Sequence, residues 1–319
     1  SVQMAARELR YDWFDHLMKE QKIKTLVTAH HADDNLETFI INLSRGTGIK
    51  GLTGIQSQIG NIARPLLPFS RIRILAFAKS LNIEWREDQS NVETKYLRNK
   101  IRHDIVPVLK ELHPSFLENF GATQRYLKQV SDISDNHISK LKEDIFKEEG
   151  EVVRISIESI QALAPLEAYI HALFNEYGFT AWGDVQQLLT AMSGKEVHSK
   201  TPRLVKDRDV LLLSRISNEV EGPYEILESC TQIENPINLS ISNVDLIEET
   251  GPNVLYVDKE TLKYPLTLRK WQKGDYFYPL GMQGRKKISK YFKDEKVDVI
   301  AKEKQWLLCS GNDIVWIVG

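Results

Sequence analysis

The chain has 319 residues, 42% of them hydrophobic and 27% charged, with a net charge of −2, which is room for two or three soluble domains. No apolar run approaches the roughly 18 residues of a membrane span, and the near-neutral balance means that any nucleic-acid binding has to come from local patches. Two distant cysteines, Cys230 and Cys309, exclude a disulfide scaffold or a cysteine zinc site and fit a reducing cytoplasm.

The opening SVQMAAREL has neither a signal peptide's apolar core nor an initiator methionine, so the chain is expected to start inside a longer one. Leu9, Trp13 and Leu17 recur at four-residue steps and predict a helix with one apolar face. IKTLVTA (23–29) predicts a short buried strand. It runs into AHHADDNLETFIINLSRGTG (29–48), where Leu36, Ile40 and Leu43 predict a second helix that stops near Gly46. NIARPLLPF is extended and proline-marked, a helix follows over 71–81, and IEWRE (83–87) predicts another strand. Strands alternating with helices favour a parallel sheet with its sites at the strands' carboxyl ends.

Within 88–112, Leu97, Ile101 and Ile105 predict a helical stripe. A long helix is expected from Ser115 to about Phe146, with Phe116, Phe120, Thr123, Leu127, Val130, Ser134, Leu141 and Ile145 near its seam. Residues 151–215 predict a small mixed domain ending in a hairpin, with Lys206-Asp207 at its turn. Residues 217–257 are acidic, contain Pro223, Pro236 and Pro252, and predict a linker with short strands. From Leu262 the chain turns β-like and basic.

Four features carry chemistry. His30, His31, Asp33, Asp34 and Glu37 fall at a predicted strand-to-helix turn, which in an α/β sheet faces the ligand crevice. Asp33 and Glu37 share a helix face and could hold a cation or orient an amine. Acidic residues in a first helical turn also simply cap it and complement the dipole. Two adjacent histidines are harder to explain as capping and tip the reading towards a site. Four glycines at 46–54, with Arg45 and Lys50 nearby, read either as a helix stop and turn or as a backbone nest for phosphate, and lean towards phosphate.

Arg98 and Arg102 lie four apart with Asn99 between them. They are either a solvated face or a phosphate clamp, and the residues alone do not decide. Residues 269–296 hold nine Lys/Arg against three Asp/Glu, interleaved with Trp271, Tyr276, Phe277, Tyr278, Tyr291 and Phe292. Some of these aromatics must be core, but the charge concentration favours RNA, whose phosphates attract lysines and whose unpaired bases stack on rings.

The runs TAHHADDNLETFIINLSRGTGIKGLTGI, RPLL and SNVETKYLRNKIRHDIVPVL, with AARELRY upstream and RKWQKGDYFYPLGMQGRKKISKYF near the end, resemble the tRNA(Ile)-lysidine synthetases, a family of PP-loop ATP pyrophosphatases. The resemblance covers nearly the whole chain in the expected order. It implies a multidomain fold of α/β plus α+β type. Residues 1–112 would be the carboxyl part of a PP-loop (adenine nucleotide alpha-hydrolase-like) parallel α/β catalytic domain. A mainly helical middle domain (113–216) would add a long helix and a small mixed α/β portion. A linker (217–257) and a small basic β-rich tRNA-binding domain (258–319) would follow.

The same resemblance implies a cytoplasmic ATP-dependent C–N ligase that adenylates the wobble cytidine of a tRNA(Ile) with a CAU anticodon and lets free L-lysine displace AMP. ATP and Mg²⁺ are the implied cofactors, lysine is the co-substrate, and the partners are the tRNA and a second copy of the chain in a homodimer. Asp33, Asp34, His31 and Glu37 would be catalytic, with Mg²⁺ on Asp33 and Asp34, or those carboxylates polarising lysine's amine. His30, Arg45, Gly46 and Gly48 would meet ATP phosphates. Arg7, Arg10, Tyr11, Arg64, Asn91, Arg98, Asn99 and Arg102 would line the lysine and anticodon pocket, and Arg269, Lys270, Trp271, Lys273, Arg285, Lys286, Lys287 and Lys290 would bind the tRNA body. The family's ATP-gripping SGGxDS loop does not occur in these residues, so the chain by itself is expected to be inactive. The alternatives are a non-catalytic tRNA-binding fragment and a metal-dependent phosphoesterase.

Overall fold

The computed structural model describes residues 2–86, 97–216, 222–247, 251, 253–281 and 284–319. They form two compact units, 1–139 and 140–319. In the first, helix α1 (Val2–Glu20) leads to strand β1 (Leu26–Val27) and helix α2 (Ala32–Ser44), followed by the short α3 (Ile49–Leu52), strands β2 (Gln58–Ile59) and β3 (Ile62–Ala63), and helix α4 (Arg71–Ser80). The three strands make one small sheet in the order β1-β3-β2, in which β1 pairs with β3 in parallel. A single turn α5 (Leu97–Lys100), a π-helical turn (Ile101–Ile105) and α6 (Val106–Glu111) precede the 30-residue α7 (Phe116–Ile145).

Several expected faces lie elsewhere. In α1, Leu9 and Trp13 are exposed and, among the described side chains, the buried one is Met18, one position off the expected stripe and so about 100° around the helix. Only Leu26 and Val27 of 23–29 are strand, and Val27 is exposed. Residues 83–86 form no strand, and Ile83 and Trp85 face outward; residue 87 lies outside the described residues. Leu43 is exposed at the end of α2, while Leu36 is buried.

The most informative departure is in 97–106. Leu97 and Ile105 are exposed, and the buried pair is Ile101 and Val106, five positions apart. A π turn bonds i to i+5, so the stripe advances by five there and Ile105 is carried off it. Ile101 and Val106 close over Leu36, with Phe116 and Phe120 of α7 packed against them. Along α7 the seam also shifts by one: Gln124 and Ser131 are buried and Val130 is exposed. Gln124 turns inward because Asn35 of α2 hydrogen-bonds to it.

The second unit opens with β4 (Phe146–Glu149), β5 (Val152–Ser156), helices α8 (Ile157–Gln161), α9 (Leu166–Phe174) and α10 (Trp182–Leu188), and strands β6 (Glu196–His198), β7 (Pro202–Asp207) and β8 (Val210–Arg215). These strands form an antiparallel sheet in the order β4-β5-β8-β7-β6. The hairpin turn is Arg208-Asp209, not Lys206-Asp207. Arg208 takes the positive φ of 49°, and the buried Lys206 donates from Nζ to the Leu189 carbonyl at 2.8 Å.

Next come β9 (Tyr224–Ile226), the pair β10 (Gln232–Ile233) and β11 (Leu239–Ser240), β12 (Leu266–Lys270), β13 (Tyr276–Phe277), β14 (Lys286–Lys287), α11 (Ile288–Asp294), α12 (Val299–Lys304), β15 (Trp306–Ser310) and β16 (Asp313–Ile317). The second sheet runs β14-β13-β16-β15-β12-β9, so residues 224–226, expected within a linker, are its edge strand. Helix α12 joins this region to the first sheet. Ile300 packs with Val205 and Leu212, and around it Arg154 pairs with Asp298 at 2.6 Å, Arg203 with Glu303, and Lys304 with Glu151 at 2.5 Å.

Candidate active site

The amino end of α2 is set by the sheet. Thr28, just past β1, donates its N–H to the Ala63 carbonyl at the end of the parallel β3 (3.0 Å), so the chain leaves both strands at their carboxyl edge. Thr28 Oγ1 lies 3.0 Å from His30 Nδ1. His31 is then the N-cap: its backbone N–H donates to Asp34 Oδ2 at 3.0 Å, and the Asp34 N–H donates to His31 Nδ1 at 3.4 Å. An accepting Nδ1 puts the imidazole proton on Nε2, which lies 3.4 Å from Asp34 Oδ2. Capping and site formation therefore coincide, with histidine in the capping role that sequence reasoning gave to an aspartate.

Asp33, Asp34 and Glu37 are all buried, Glu37 to 1% exposure. Burial of three carboxylates requires three cations, and they come from 97–111. Glu37 accepts from Arg98 Nε (2.8 Å), Arg102 Nε (2.6 Å) and Arg102 Nη2 (3.0 Å). Asp34 Oδ1 accepts from Arg98 Nη2 at 3.3 Å and Arg102 Nη2 at 3.1 Å. In this arrangement the arginine pair covers two carboxylates. Hydrogen bonds to Glu37 raise the Arg102 pKa further, against the opposing effect of its burial.

Asp33 has separate partners: the Arg71 N–H that opens α4 donates to Oδ2 at 2.8 Å, and Lys110 Nζ pairs with Oδ1. Burial pushes this carboxyl up, but the Arg71 N–H and Lys110 together outweigh it and hold its pKa below the usual carboxylate value. Sequence reasoning missed Lys110. The signal for it was its place eight residues beyond Arg102 in the same helical stretch.

The metal expectation fares poorly on this geometry. Every oxygen of Asp33 and Asp34 already accepts a hydrogen bond or pairs with a cation, and a divalent ion there would face Arg98, Arg102 and Lys110. The two carboxylates do not fit Mg²⁺ in this arrangement. Among the described residues no group of three His, Cys, Asp or Glu side chains is placed to hold a metal.

Other expected site residues are dispersed. Arg45, Gly46 and Gly48 lie at the far end of the 13-residue α2, about 20 Å along its axis from His31. That is the negative end of the helix dipole, which disfavours phosphate. The glycines serve the turn: Gly46 and Gly54 have φ of 72° and 77°, and Asn35 Oδ1 accepts the Ile55 N–H at 2.6 Å.

Arg64, just past β3, is buried; its Nη1 donates to the Gln56 carbonyl at 2.7 Å, while its Nε has no hydrogen-bond partner. A buried orphan donor at the carboxyl edge of a parallel strand suits an acceptor on a ligand. Arg10 is exposed on α1, and Tyr11 meets Phe14 edge-on at 6.1 Å. Asn99 lies in α5. Asn91 and the Arg7 side chain lie outside the described residues.

In the C-terminal sheet the basic residues divide. Arg269 grips Asp275 through two 2.8 Å hydrogen bonds, Lys270 sits 3.8 Å over the Trp306 ring, Trp271 packs edge-on against Phe292, and Lys286 pairs with Asp294 at 2.8 Å. Arg285 lies over Tyr276. Lys273, Lys287 and Lys290 are exposed.

Among the described residues no helix is long and apolar enough to cross a membrane. Residues 1–109 match the PP-loop domain family, 148–216 the TilS substrate binding domain and 266–319 the TilS substrate C-terminal domain. The chain is 38% identical to a tRNA(Ile)-lysidine synthase of Parabacteroides distasonis, covering all of this chain and 74% of that relative. It is 36% identical to one from Bacteroides thetaiotaomicron, covering 73% of it, and 28% identical to one from Caldanaerobacter subterraneus, covering 72%. With its three domain matches in order and these relatives aligned along its whole length, the chain belongs to the tRNA(Ile)-lysidine synthase family.

Proposed function

We propose that the chain is the lysine- and tRNA-handling part of a cytoplasmic lysidine synthesis reaction. In this reaction C2 of the wobble cytidine of a CAU-anticodon tRNA(Ile) is adenylated by ATP with loss of pyrophosphate. The amine of free lysine then attacks C2, AMP leaves, and the amine loses a proton. The observation that carries this reading is the buried Asp34–Glu37 pair, held at the carboxyl edge of the parallel strands and faced by Arg98 and Arg102. Carboxylates there suit an ammonium group and the removal of its proton, and guanidiniums suit phosphate. The orphan Arg64 Nε supports an acceptor-bearing ligand at the same strand edge. Mg²⁺ enters this reading only with the phosphates of ATP, since Asp33 and Asp34 do not fit it.

In a chain that carries both this site and an SGGxDS loop, Asp34→Asn abolishes lysidine formation, measured by mass spectrometry of digested tRNA. Near-normal turnover overturns the assignment. The 319 residues contain no such loop, so by themselves they are expected to release no pyrophosphate from ATP, and ATP-dependent release would refute that. The second reading, tRNA binding without chemistry, is favoured by the exposed Lys273, Lys287 and Lys290. A gel shift with tRNA(Ile) at two salt concentrations separates binding from inertness.

A further inference from the structure

Asp34 and Glu37 carry two negative charges and meet two positive ones, so with Arg98 and Arg102 in place the pocket has no net charge to attract an ammonium ion. Both Glu37 oxygens are also covered: Oε1 by Arg102 Nε, Oε2 by Arg98 Nε and Arg102 Nη2. A primary amine therefore has to displace a guanidinium that already makes paired hydrogen bonds, which a single ammonium does not match. The two sides of this network differ in access. The Glu37 side chain is 1% exposed and that of Asp34 is 12%, whereas the Arg98 side chain is 37% exposed and that of Arg102 is 22%. Solvent-borne ions reach the arginines first, and phosphate is the partner that planar guanidinium forks match.

Arg98 precedes the π-helical turn and Arg102 lies in it, so both side chains reach Asp34 and Glu37 from one helical segment. Asp33 stands apart from the exchange, because Lys110 and the Arg71 N–H hold it.

We propose that Arg98 and Arg102 are specificity-determining residues that act as an ion-exchange gate. A phosphate-bearing ligand draws the two guanidiniums off Asp34 and Glu37, and only then does the exposed carboxylate pair accept the ammonium group of the amine co-substrate. The inference rests on the proposed reading of Asp34 and Glu37 as the lysine site and adds an order to it: phosphate before amine. Because binding free energies are linked reciprocally, the amine in turn tightens the phosphate ligand by the same factor.

The test is calorimetric titration of L-lysine into the 319-residue chain, alone, with saturating inorganic tripolyphosphate, and with a short anticodon stem-loop RNA. The last two arms separate a nucleotide-like source of phosphate from an RNA source. Lysine affinity is expected to rise at least about tenfold, within the usual range of coupling factors, in whichever arm supplies the phosphate. Arg102→Gln, which removes the fork on Glu37, is expected to bind lysine without any anion more tightly than the unaltered chain does, and to lose most of the coupling. Where Arg102→Gln unfolds the protein, Arg102→Lys keeps the charge but not the fork, and its anion-free affinity rises in the same direction. Lys128→Gln, which removes a surface cation paired with Asp132, leaves both affinities unchanged and controls for net charge. Equal lysine affinity with and without phosphate overturns the gate while leaving the lysine reading intact. No lysine binding in any arm or variant overturns the lysine reading, and the gate with it.

Discussion

Arg102 grips Glu37 with two nitrogens, Nε to Oε1 at 2.6 Å and Nη2 to Oε2 at 3.0 Å, and so ties the π-helical turn to the second turn of α2. The carboxylate is buried and follows Leu36, a member of the Leu36–Ile101–Val106 core, so an unpaired charge there is costly. The pair therefore serves two ends: it closes the core of the first unit and it sets the charge of the site.

Replacing Glu37 by glutamine separates these roles. It leaves two guanidiniums facing Asp34 alone. Breaking a buried ion pair typically costs about 3–5 kcal/mol, and the partial solvation of the arginines lowers the expectation to about 2–3 kcal/mol. Urea unfolding followed by far-ultraviolet circular dichroism measures it. A loss below about 0.5 kcal/mol, the scale of an exposed pair, would show that the network is solvated.

Asp33 predicts a pH dependence whose sign follows from its lowered pKa. In the unfolded chain the carboxyl titrates near 3.9, and in the folded state it titrates lower. Its stabilising effect is complete above about pH 4 and is lost as pH falls through the folded value. Asp33→Asn should therefore be less stable than the unaltered chain at pH 6 to 7, with the gap closing below about pH 4. A gap of constant size from pH 7 to pH 3 would contradict the ion pair with Lys110.

How much of this was legible in the residues depends on which interaction sets each feature. The start of α2 and the run from β1 into His30 and His31 are local, and the sequence shows them; the parallel partner of β1 is β3 and not the strand expected at 83–87, of which residues 83–86 form none. The arginine and lysine side chains that pair with Asp33, Asp34 and Glu37 come from 61 to 77 positions away, and no spacing rule reaches that far. The Ile101–Val106 stripe was misread because a four-residue period was assumed where the backbone takes five. The faces of α1 and β1 were misread because periodicity reports which residues are apolar, and burial depends on what packs against them.

Gly54 tests whether the glycine run is a turn. Its φ of 77° lies in the left-handed region, and a Cβ there would fall 2.2 Å from both Asn35 Oδ1 and Gln124 Nε2. Gly54→Ala should cost about 1–3 kcal/mol through strain and loss of the Asn35 hydrogen bonds to Ile55 and Gln124. Gly48→Ala meets nothing within 4 Å at a negative φ of −77° and should be nearly neutral. Thermal unfolding of both variants gives the comparison, and equal effects would remove the close-packing argument.

The basic C-terminal sheet yields the last prediction, because its cations are not equivalent. Arg269 is committed to Asp275 by paired hydrogen bonds, and that contact holds the Asp275 carboxyl below its usual range against the effect of burial. Lys273, Lys287 and Lys290 are exposed, and ordering them on phosphates would release counterions. Each phosphate contact contributes roughly 0.7 to 0.9 to the slope of log affinity against log salt. Changing all three lysines to glutamine should flatten the slope for tRNA(Ile) by about two, with unfolding unchanged. Arg269→Gln should do the reverse, lowering stability and leaving the slope nearly as it was. A slope that falls with Arg269→Gln and not with the triple change would assign RNA contact to the half-buried Arg269 on β12 and not to the exposed lysines.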